Sequence, residues 1–500
     1  MARGGRGAGR DADPARRPAG PAGIDPSRRP GDRHVPVGRP GVHRGEPARC
    51  SRHRRTAGGA GRRPGLAGRA GFSGGAHSVT TAAAALGEER ARDLDATDPL
   101  ARYRARFLLP TGDDGRPKIY LAGQSLGAQP VAARAEVEAD LDAWARLGVD
   151  GWFAGDRTWI DADGAVREST ASIVGARPGE VATLNTLTVN LHLLFASFFR
   201  PAGARTAVLI DAPTFPSDRY AVESQLRLHG LDPERDLITV RPRDGEALLR
   251  TEDLEGAIRE HRDRLAVALL AGVNYATGQA HEIERLTAAV HDAGAVALWD
   301  LAHAAGNVPL ALHDAGVDAA AWCTYKYLNG GPGAIAQLFV HERHTADAST
   351  LRLTGWWGNE PATRFRMAES FEPGIGADGW RISTPPILSL APIRASLAIF
   401  EEVGMDALRA KSVLLTAYLE SLLVALVPDV EILTPREPTA RGAQLSLRMA
   451  DAPRRLAALE AAGVVADFRE PDIIRMAPVP LYNTFHEIWR AARVLADTAL

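Results

Sequence analysis

The sequence predicts an α/β protein built on a mostly parallel sheet with helices on both faces. Short, fully apolar runs recur between residues 200 and 325, and helical segments separate them. Strands without polar alternation are buried on both faces, which is typical of parallel sheets. Ligands of such sheets bind at the carboxyl ends of the strands. We therefore expect the functional residues directly after the apolar runs.

The elements follow in chain order. Residues 82–96 and 131–147 have the apolar spacing of helices, and a connecting arm, residues 98–118, lies between them. A further apolar helix begins near residue 187 and another covers residues 282–293. Apolar and β-branched runs predict strands at residues 206–210, 237–240, 265–270, 295–299 and 319–323.

The last third of the chain changes character. Helical patterns cover residues 387–403, 410–426 and 485–498, and strand patterns cover 444–448 and 464–469. This alternation predicts a small α/β domain packed on the sheet. We divide the chain into an extension at residues 1–80, an arm with helices at 81–150, a large ligand-binding domain at 151–350 and a small domain at 351–500.

Charge is unevenly distributed along the chain. The formal net charge is −2, yet residues 1–80 contain 17 arginines, no lysine and five acidic residues. The rest of the chain is therefore clearly acidic. An acidic body repels phosphate backbones, so we expect no nucleic-acid partner for it.

The first 80 residues are rich in Arg, Gly, Pro and Ala and have few large apolar side chains. They cannot bury enough apolar surface to offset the entropy lost on ordering, so disorder is predicted. Two functional interpretations are a basic arm for nucleic acid and a transit peptide; the simpler interpretation is a spurious amino-terminal extension. The absence of an amphipathic period and of an apolar signal core favours the simpler one.

Cysteine usage and hydropathy bear on the compartment. The two cysteines are Cys50, in the basic extension, and Cys323, in a predicted buried strand. They supply neither a disulfide framework nor a zinc site. No apolar run approaches the length that spans a bilayer. We expect a cytoplasmic protein with no metal and no membrane contact.

Three ionisable residues stand where this sheet would hold a ligand. Asp300 ends the apolar run 295–299, His303 follows three positions later, and Lys326 follows the predicted strand 319–323. A carboxylate can pair with a protonated pyridine nitrogen, and a lysine that is costly to bury as a cation can form a Schiff base with an aldehyde. Together they indicate a pyridoxal-phosphate site. Taken singly, they have plainer roles as a helix cap, a core histidine and an exposed loop lysine.

Other stretches have the composition of binding loops. Residues 185–188 open a helix with hydroxyls and free amides that suit a phosphate, although a threonine there is more often a simple cap. Residues 120–127 combine two glycines with Ser125 in a short turn. Arg475 can bind a carboxylate through two parallel hydrogen bonds, although most arginines form surface ion pairs. Trp152 lies in a glycine-punctuated loop, where aromatic residues are often core.

Taken together, these motifs resemble kynureninase, a family of fold-type-I pyridoxal-phosphate enzymes. The most specific are Trp-Cys-Thr-Tyr-Lys-Tyr-Leu-Asn at 322–329 and Ala-Pro-Val-Pro-Leu-Tyr-Asn at 477–483. The resemblance runs in order from about residue 88 to 495. The further matching stretches are 121–127, 185–194, 215–218, 275–279, 300–308, 355–358 and 383–386.

The resemblance implies roles for the matching positions. Lys326 would hold the cofactor and move protons, Asp300 would pair with its pyridine nitrogen, and Tyr325 would bind its phosphate or act as an acid-base group. Arg475 would bind the substrate carboxylate, with Ser125 close by. The other implied cofactor contacts are Leu187, Thr188, Phe215, Pro216, Ser217, Asp218 and His303, together with Trp356 and Thr384 from the second subunit of a homodimer.

Two positions depart from the family pattern. Gln124 stands where the family often has Asn, and Ala271 stands where some members offer a serine to the cofactor. The first change lengthens an amide in a binding loop, and the second removes one contact. Neither removes a group that the chemistry requires.

The implied reaction is the hydrolysis of L-kynurenine to anthranilate and L-alanine by Cβ–Cγ cleavage, in tryptophan catabolism. Trp152 and Thr384 stand at positions of the substrate ring pocket where bacterial members tend to have Trp and Thr, and animal members His and Asn. A hydroxylated ring needs a polar partner, so an apolar wall with a short hydroxyl favours L-kynurenine over 3-hydroxykynurenine.

Two alternatives remain. One is another lyase of the same fold, such as a cysteine desulfurase, which would need a mobile cysteine nucleophile that neither Cys50 nor Cys323 is placed to supply. The other is a cofactor-binding protein without turnover. The combination of Lys326, Tyr325 and Arg475 argues against it.

Overall fold

The described part of the chain, residues 86–347 and 349–498 of a computed structural model, begins with a helix that docks on the last one. Asp95, in the first helix, accepts hydrogen bonds from the backbone N–H groups of Phe485 (2.7 Å) and His486 (3.0 Å). Three short strands follow the first helix. They are β1 (Phe107–Leu108), β2 (Ile119–Tyr120) and β3 (Gln129–Pro130).

A seven-stranded sheet forms the centre of this part of the chain. Its strands are β4 (Val181–Thr183), β5 (Ala207–Asp211), β6 (Leu237–Val240), β7 (Leu265–Ala271), β8 (Val296–Asp300), β9 (Ala319–Trp322) and β10 (Gln337–Val340). They lie in the order β4-β10-β9-β8-β7-β5-β6. The strands β5 to β9 run parallel to one another, whereas β10 is antiparallel to β4 and β9. The predicted mostly parallel sheet is confirmed.

Both faces of the sheet are covered, because successive side chains of each strand point to opposite faces. On one face, Leu269 and Leu298 belong to a core that includes Leu194 and Phe195 of a helix. On the other, Leu270 and Trp299 belong to a second core, with Leu286 and Val290 of another helix. The α-helices of the described residues are Glu88–Ala96, Ala133–Leu147, Gly164–Val174, Leu187–Phe198, Pro216–Leu228, Pro233–Asp236, Thr251–Glu260, Ile283–Asp292, Glu342–Thr345, Ile387–Val403, Met405–Leu426, Ala452–Ala461 and Phe485–Thr498.

The carboxy-terminal part has a sheet and a core of its own. Its strands are β11 (Glu431–Ile432), β12 (Leu445–Arg448), β13 (Val464–Val465), β14 (Asp467–Arg469) and β15 (Ile473–Met476). An antiparallel sheet has the order β11-β12-β15-β14. Leu419 and Leu423 of one helix and Ile488 and Leu495 of the last helix pack in its core with Ile474.

The structure corrects one predicted strand. Residues 464–469 form two strands rather than one, because β13 pairs parallel with β2 while β14 pairs antiparallel with β15. Two strands of the large sheet, β4 and β10, were absent from the prediction. The helices at 387–403 and 485–498 have the predicted bounds.

Some predictions are left untested. The predicted disorder of residues 1–80 lies outside the described residues, and the domain boundaries at residues 81, 151 and 351 stay predictions. Within the described ranges, no helix combines the length and the apolar character needed to cross a membrane.

Candidate active site

A cavity of about 290 Å³ lies at the carboxyl ends of the parallel strands. Three of its lining residues, Asp211, Ala271 and Asp300, are the last residues of β5, β7 and β8. This is the edge of the sheet where the sequence predicts a ligand. Nine of the predicted cofactor contacts line the cavity: Leu187, Thr188, Phe215, Ser217, Asp218, Asp300, His303, Tyr325 and Lys326.

Two buried carboxylates meet in this cavity. Asp300 accepts a hydrogen bond from the Ala302 backbone N–H (2.8 Å), and Asp218 is hydrogen-bonded to Asp300 and to Ser217. Burial, and then the charge of Asp300, raise the pKa of Asp218 well above its usual range. The raised pKa favours the protonated form of Asp218. A carboxylate beside a second one that favours its proton suits a single cation, such as a protonated pyridine nitrogen.

His303 borders the same space as a neutral imidazole. Burial, together with the positive charges of Lys326, Arg475 and Arg469, lowers the pKa of His303 well below its usual value. A neutral ring can pack against a planar ligand without adding charge to the site.

Lys326 is buried, with its Nζ 5.8 Å from the ring centroids of both Phe215 and Tyr325. The backbone beside it leaves no room for a side chain at Gly127, where a Cβ would lie 2.3 Å from the Lys326 carbonyl oxygen. The Gly127 N–H also donates to the Tyr325 carbonyl (2.8 Å). The loop 121–127 thus packs directly against the lysine.

Tyr325 lies at the wall of the cavity with a protonated hydroxyl. Burial, and then the neighbouring Cys323 and Asp300, raise the pKa of Tyr325 above its ordinary value. The phenol is therefore a hydrogen-bond donor throughout the neutral range.

The helix Leu187–Phe198 begins at the cavity. Thr186 precedes it in an extended conformation, and its hydroxyl makes no capping hydrogen bond. The interpretation of this threonine as a simple cap is therefore wrong. The first N–H groups of the helix are left to a ligand, and an anion such as a phosphate suits a helix start.

These features fit pyridoxal phosphate. The Asp218–Asp300 pair suits its pyridine nitrogen, the Phe215 ring its aromatic face, the uncapped helix start its phosphate, and Lys326 its aldehyde. The cavity thus offers a complementary group for the nitrogen, the ring, the phosphate and the aldehyde of the cofactor.

Arg475 and Ser125, the predicted carboxylate ligands, lie behind the cavity wall. Arg475 is buried on β15 and donates through Nη1 to the carbonyl oxygen of Tyr275 (2.6 Å), a residue that lines the cavity. Its Nη2 donates to the Ser125 hydroxyl (3.2 Å). The structure thus brings these two predicted residues together, next to the cofactor site.

The other predicted residues are not part of the cavity wall. Trp152 packs against Trp159 and Trp357, with ring centroids 5.8 and 5.3 Å apart. The Trp356 indole donates to the Arg364 carbonyl oxygen (3.1 Å). Thr384 is half-buried in a loop. Pro216 begins the helix that follows Phe215 and is exposed.

The sequence prediction missed Asp211 and Tyr275. Asp211 ends an apolar run as Asp300 does, and this signal would have identified it. It accepts hydrogen bonds from the Ala271 N–H (3.1 Å) and the Asn274 amide (3.3 Å). The Tyr275 ring packs edge-on against Phe215 at 5.2 Å, and only the fold reveals this contact.

The two departures from the family pattern have different surroundings. Gln124 is fully buried, and neither its amide nitrogen nor its oxygen has a hydrogen-bond partner among the described residues. Ala271 lines the cavity, where its methyl group offers the cofactor no hydrogen bond.

The chain is similar in sequence to known proteins of one family. Residues 408–495 match the kynureninase C-terminal domain family. The chain is 53% identical over 420 residues to a kynureninase of Salinispora tropica, covering 82% of this chain and 97% of the relative. It is 52% identical over 408 residues to a kynureninase of Xanthomonas oryzae pv. oryzae, covering 81% and 96%. The chain belongs to the kynureninase family.

Solved structures agree on the fold. A C-DES variant with glycine linked covalently to its PLP cofactor has a TM-score of 0.64 at 16% identity, over 76% of this chain and 96% of that one. The Escherichia coli cysteine desulfurase CsdA also has a TM-score of 0.64 at 16% identity, over 80% and 98%. This kynureninase family member has the fold-type-I architecture. It is a pyridoxal 5'-phosphate-dependent hydrolase of carbon–carbon bonds.

Proposed function

We propose that the protein hydrolyses L-kynurenine to anthranilate and L-alanine. The observation that carries this proposal is identity above one half to kynureninases over nearly their whole length. The cavity supports it, because a buried lysine and a carboxylate pair line it and Arg475 lies directly behind its wall. The place of the reaction in tryptophan catabolism and a cytoplasmic location are further parts of this proposal.

The proposed roles of the individual residues are as follows. Bound pyridoxal phosphate supplies an electron sink for the carbanion formed at the substrate Cα. Lys326 Nζ takes the α-proton and returns it. The Asp218–Asp300 pair would face the pyridine nitrogen of the bound cofactor and stabilise its protonated form. In this proposal, Lys326 and the Asp218–Asp300 pair act from their positions in the cavity wall.

Two further residues act on the substrate in this proposal. Arg475 binds the α-carboxylate, because its guanidinium is fixed behind the cavity through the Tyr275 carbonyl. The Tyr325 hydroxyl donates a proton during Cβ–Cγ cleavage, and the raised pKa of this tyrosine keeps the proton in place at neutral pH.

We also propose a homodimer in which Trp356 and Thr384 reach the site of the neighbouring subunit. An exposed aromatic cluster supports this arrangement. Phe153, Trp356 and Phe365 are 60%, 47% and 47% exposed, and the ring centroids of Phe365 lie 5.3 Å from Phe153 and 5.4 Å from Trp356. Contiguous exposed aromatic surface is typical of protein interfaces.

We infer a preference for L-kynurenine over 3-hydroxykynurenine. Trp152 contributes apolar surface packed on Trp159, and Thr384 contributes one short hydroxyl. A hydroxylated ring would lose hydrogen bonds to water without regaining them on such a wall. In the proposed dimer these two side chains form the ring pocket.

One assay tests the proposed reaction and the proposed preference for L-kynurenine. Purified holoenzyme is mixed with L-kynurenine, and anthranilate is followed by fluorescence while L-alanine is quantified. We expect both products from the native enzyme and neither from Lys326→Ala, which serves as the control. The absence of both products from the native holoenzyme would reject the proposed reaction. An equal or higher kcat/KM for 3-hydroxykynurenine would reject the preference.

A further inference from the structure

We propose that Asp467 is a positioning residue of the carboxylate site, where it holds the Arg475 guanidinium in place and leaves the cluster one net positive charge for one carboxylate. This inference rests on the proposed function, in which Arg475 binds the substrate carboxylate. It adds a residue that touches the arginine and not the substrate.

Asp467 and Arg475 are fixed opposite each other by the backbone. They are directly paired in the antiparallel ladder of β14 and β15. Arg475 Nε donates to Asp467 Oδ1 over 2.9 Å, and Nη2 lies 2.7 Å from the same oxygen. The carboxylate therefore occupies the edge of the guanidinium formed by Nε and Nη2. Because the ladder sets the register, the two side chains start from directly opposed positions on one face of the strand pair.

The other side of Asp467 is held by Ser125. The Ser125 hydroxyl donates to Asp467 Oδ2 and accepts from Arg475 Nη2 (3.2 Å). The loop that carries Ser125 is tied to the same region, since the Leu121 N–H donates to the Val465 carbonyl (2.9 Å). Ser125 thus connects aspartate and arginine from a third segment of the chain.

The charges in this cluster do not cancel. Arg469 is a second cation on the same carboxylate, with its Nε 3.0 Å from Asp467 Oδ1 and its Nη2 3.2 Å from Oδ2. Two guanidinium groups and one carboxylate leave one positive charge. Arg475 is 1% exposed, so without Asp467 its cation would be buried unpaired, at a large desolvation cost. One added carboxylate completes the neutralisation.

The opposite interpretation is that Asp467 competes with the substrate for Arg475. The side-chain contacts argue against it, because a competitor must withdraw when the substrate binds, and Ser125 and Arg469 hold the Asp467 carboxylate in place. The arginine also has a donor to spare. Nη1 donates to the Tyr275 carbonyl, and its second N–H has no acceptor within the described residues. The two interpretations predict opposite effects of removing the aspartate charge.

Ligand binding to holoenzymes distinguishes the two interpretations. L-Alanine, which has a carboxylate, and ethylamine, which lacks one, are titrated by calorimetry and by the cofactor absorbance. We expect Asp467→Asn to weaken L-alanine binding by about tenfold to a hundredfold, because the guanidinium loses the acceptor that fixes its orientation. Ethylamine affinity should stay unchanged. Asp472→Asn, which removes a charge that lies 3.7 Å from Arg448 in the same sheet, is the matched control and should change neither.

Kinetics provide a second readout. Asp467→Asn should raise the KM for L-kynurenine and leave kcat nearly unchanged, because the aspartate acts on carboxylate binding alone. If Asp467→Asn does not fold by circular dichroism, Asp467→Glu, which keeps the charge on a longer stem, should still show a selective loss of L-alanine affinity.

Several outcomes would overturn the proposal. Tighter L-alanine binding by Asp467→Asn would establish competition, and equal losses for L-alanine and ethylamine would indicate a general structural role. Failure of the proposed function is a separate result, since it is seen as a lack of L-kynurenine hydrolysis by the native enzyme. The comparison of L-alanine with ethylamine does not depend on hydrolysis.

Discussion

Tyr325 stands next to Lys326 in the sequence, and the fold places both side chains on one cavity wall. The lysine lies 5.8 Å from the tyrosine ring centroid, so one proton donor and one proton acceptor are close together. Burial, followed by the effects of Cys323 and Asp300, raises the pKa of the phenol and favours its protonated form. The phenol can therefore donate a hydrogen bond to the phosphate or a proton during the reaction, and a substitution distinguishes the two roles.

Replacing Tyr325 by Phe should lower kcat by about a hundredfold or more, the usual contribution of a positioned acid-base group. The dissociation constant of the cofactor should change much less, since only one hydroxyl is lost. Stopped-flow kinetics and a fluorescence titration with pyridoxal phosphate measure the two effects. The control is Tyr220→Phe, which removes a hydroxyl from a side chain that is 66% exposed. Equal losses of turnover and cofactor affinity would favour a phosphate-binding role.

At the end of the large sheet opposite the cavity, the Asp318 carboxylate connects neighbouring elements through hydrogen bonds. Asp318 precedes β9 and accepts hydrogen bonds from the Ala297 N–H of β8 (2.7 Å), from His291 (2.8 Å) and from His344 (2.7 Å). Arg343 also donates to it. Burial alone would raise the pKa of Asp318, but these hydrogen bonds outweigh burial and lower it below its ordinary value.

Asp318→Asn should lower the free energy of unfolding by about 2 kcal/mol at pH 7, because buried donors lose a charged acceptor. A lowered folded-state pKa stabilises the protein above the pKa of an unfolded aspartate, about 3.9, and this stabilisation is lost as the pH falls below it. The difference between native and variant proteins should therefore shrink below about pH 4.

Urea unfolding at several pH values measures this difference. Asp314→Asn, at an exposed position shortly before Asp318, is the control and should be neutral. A difference that does not shrink below about pH 4 would contradict the assignment of the charge to Asp318.

At the scale of the whole molecule, the exposed cluster of Phe153, Trp356 and Phe365 indicates the face that a second copy covers. Trp356 and Thr384 do not line the cavity of their own chain. If they complete the site of a partner, each active site contains residues of two chains, and two differently inactivated chains can restore one site.

Subunit mixing tests this sharing. Lys326→Ala and Trp356→Ala chains, unfolded and refolded together in equal amounts, should form mixed dimers in which one site has both native residues. Activity should rise to about a quarter of the native value, as expected for random pairing in a two-fold dimer. Activity that stays at the mean of the two separate variants would contradict sharing. Mass photometry measures the dimer directly.

Much of the site was predictable from local sequence. Apolar runs without polar alternation identified the parallel strands, and Asp300 and Lys326 were found because each follows such a run. Asp211 carries the same signal. These inferences succeed because burial of a strand on both faces leaves a direct imprint on its own residues.

Only the tertiary structure decided which distant residues meet. The contact between Asp218 and Asp300, the division of residues 464–469 between two sheets, and the pairing of Asp467 with Arg475 all depend on strand order and register. Local periodicity states that a residue is buried or exposed, but it does not name its neighbour. The sequence by itself determined the fold class and the chemistry of the cavity, whereas the ladder between β14 and β15 decided how the arginine behind it is held.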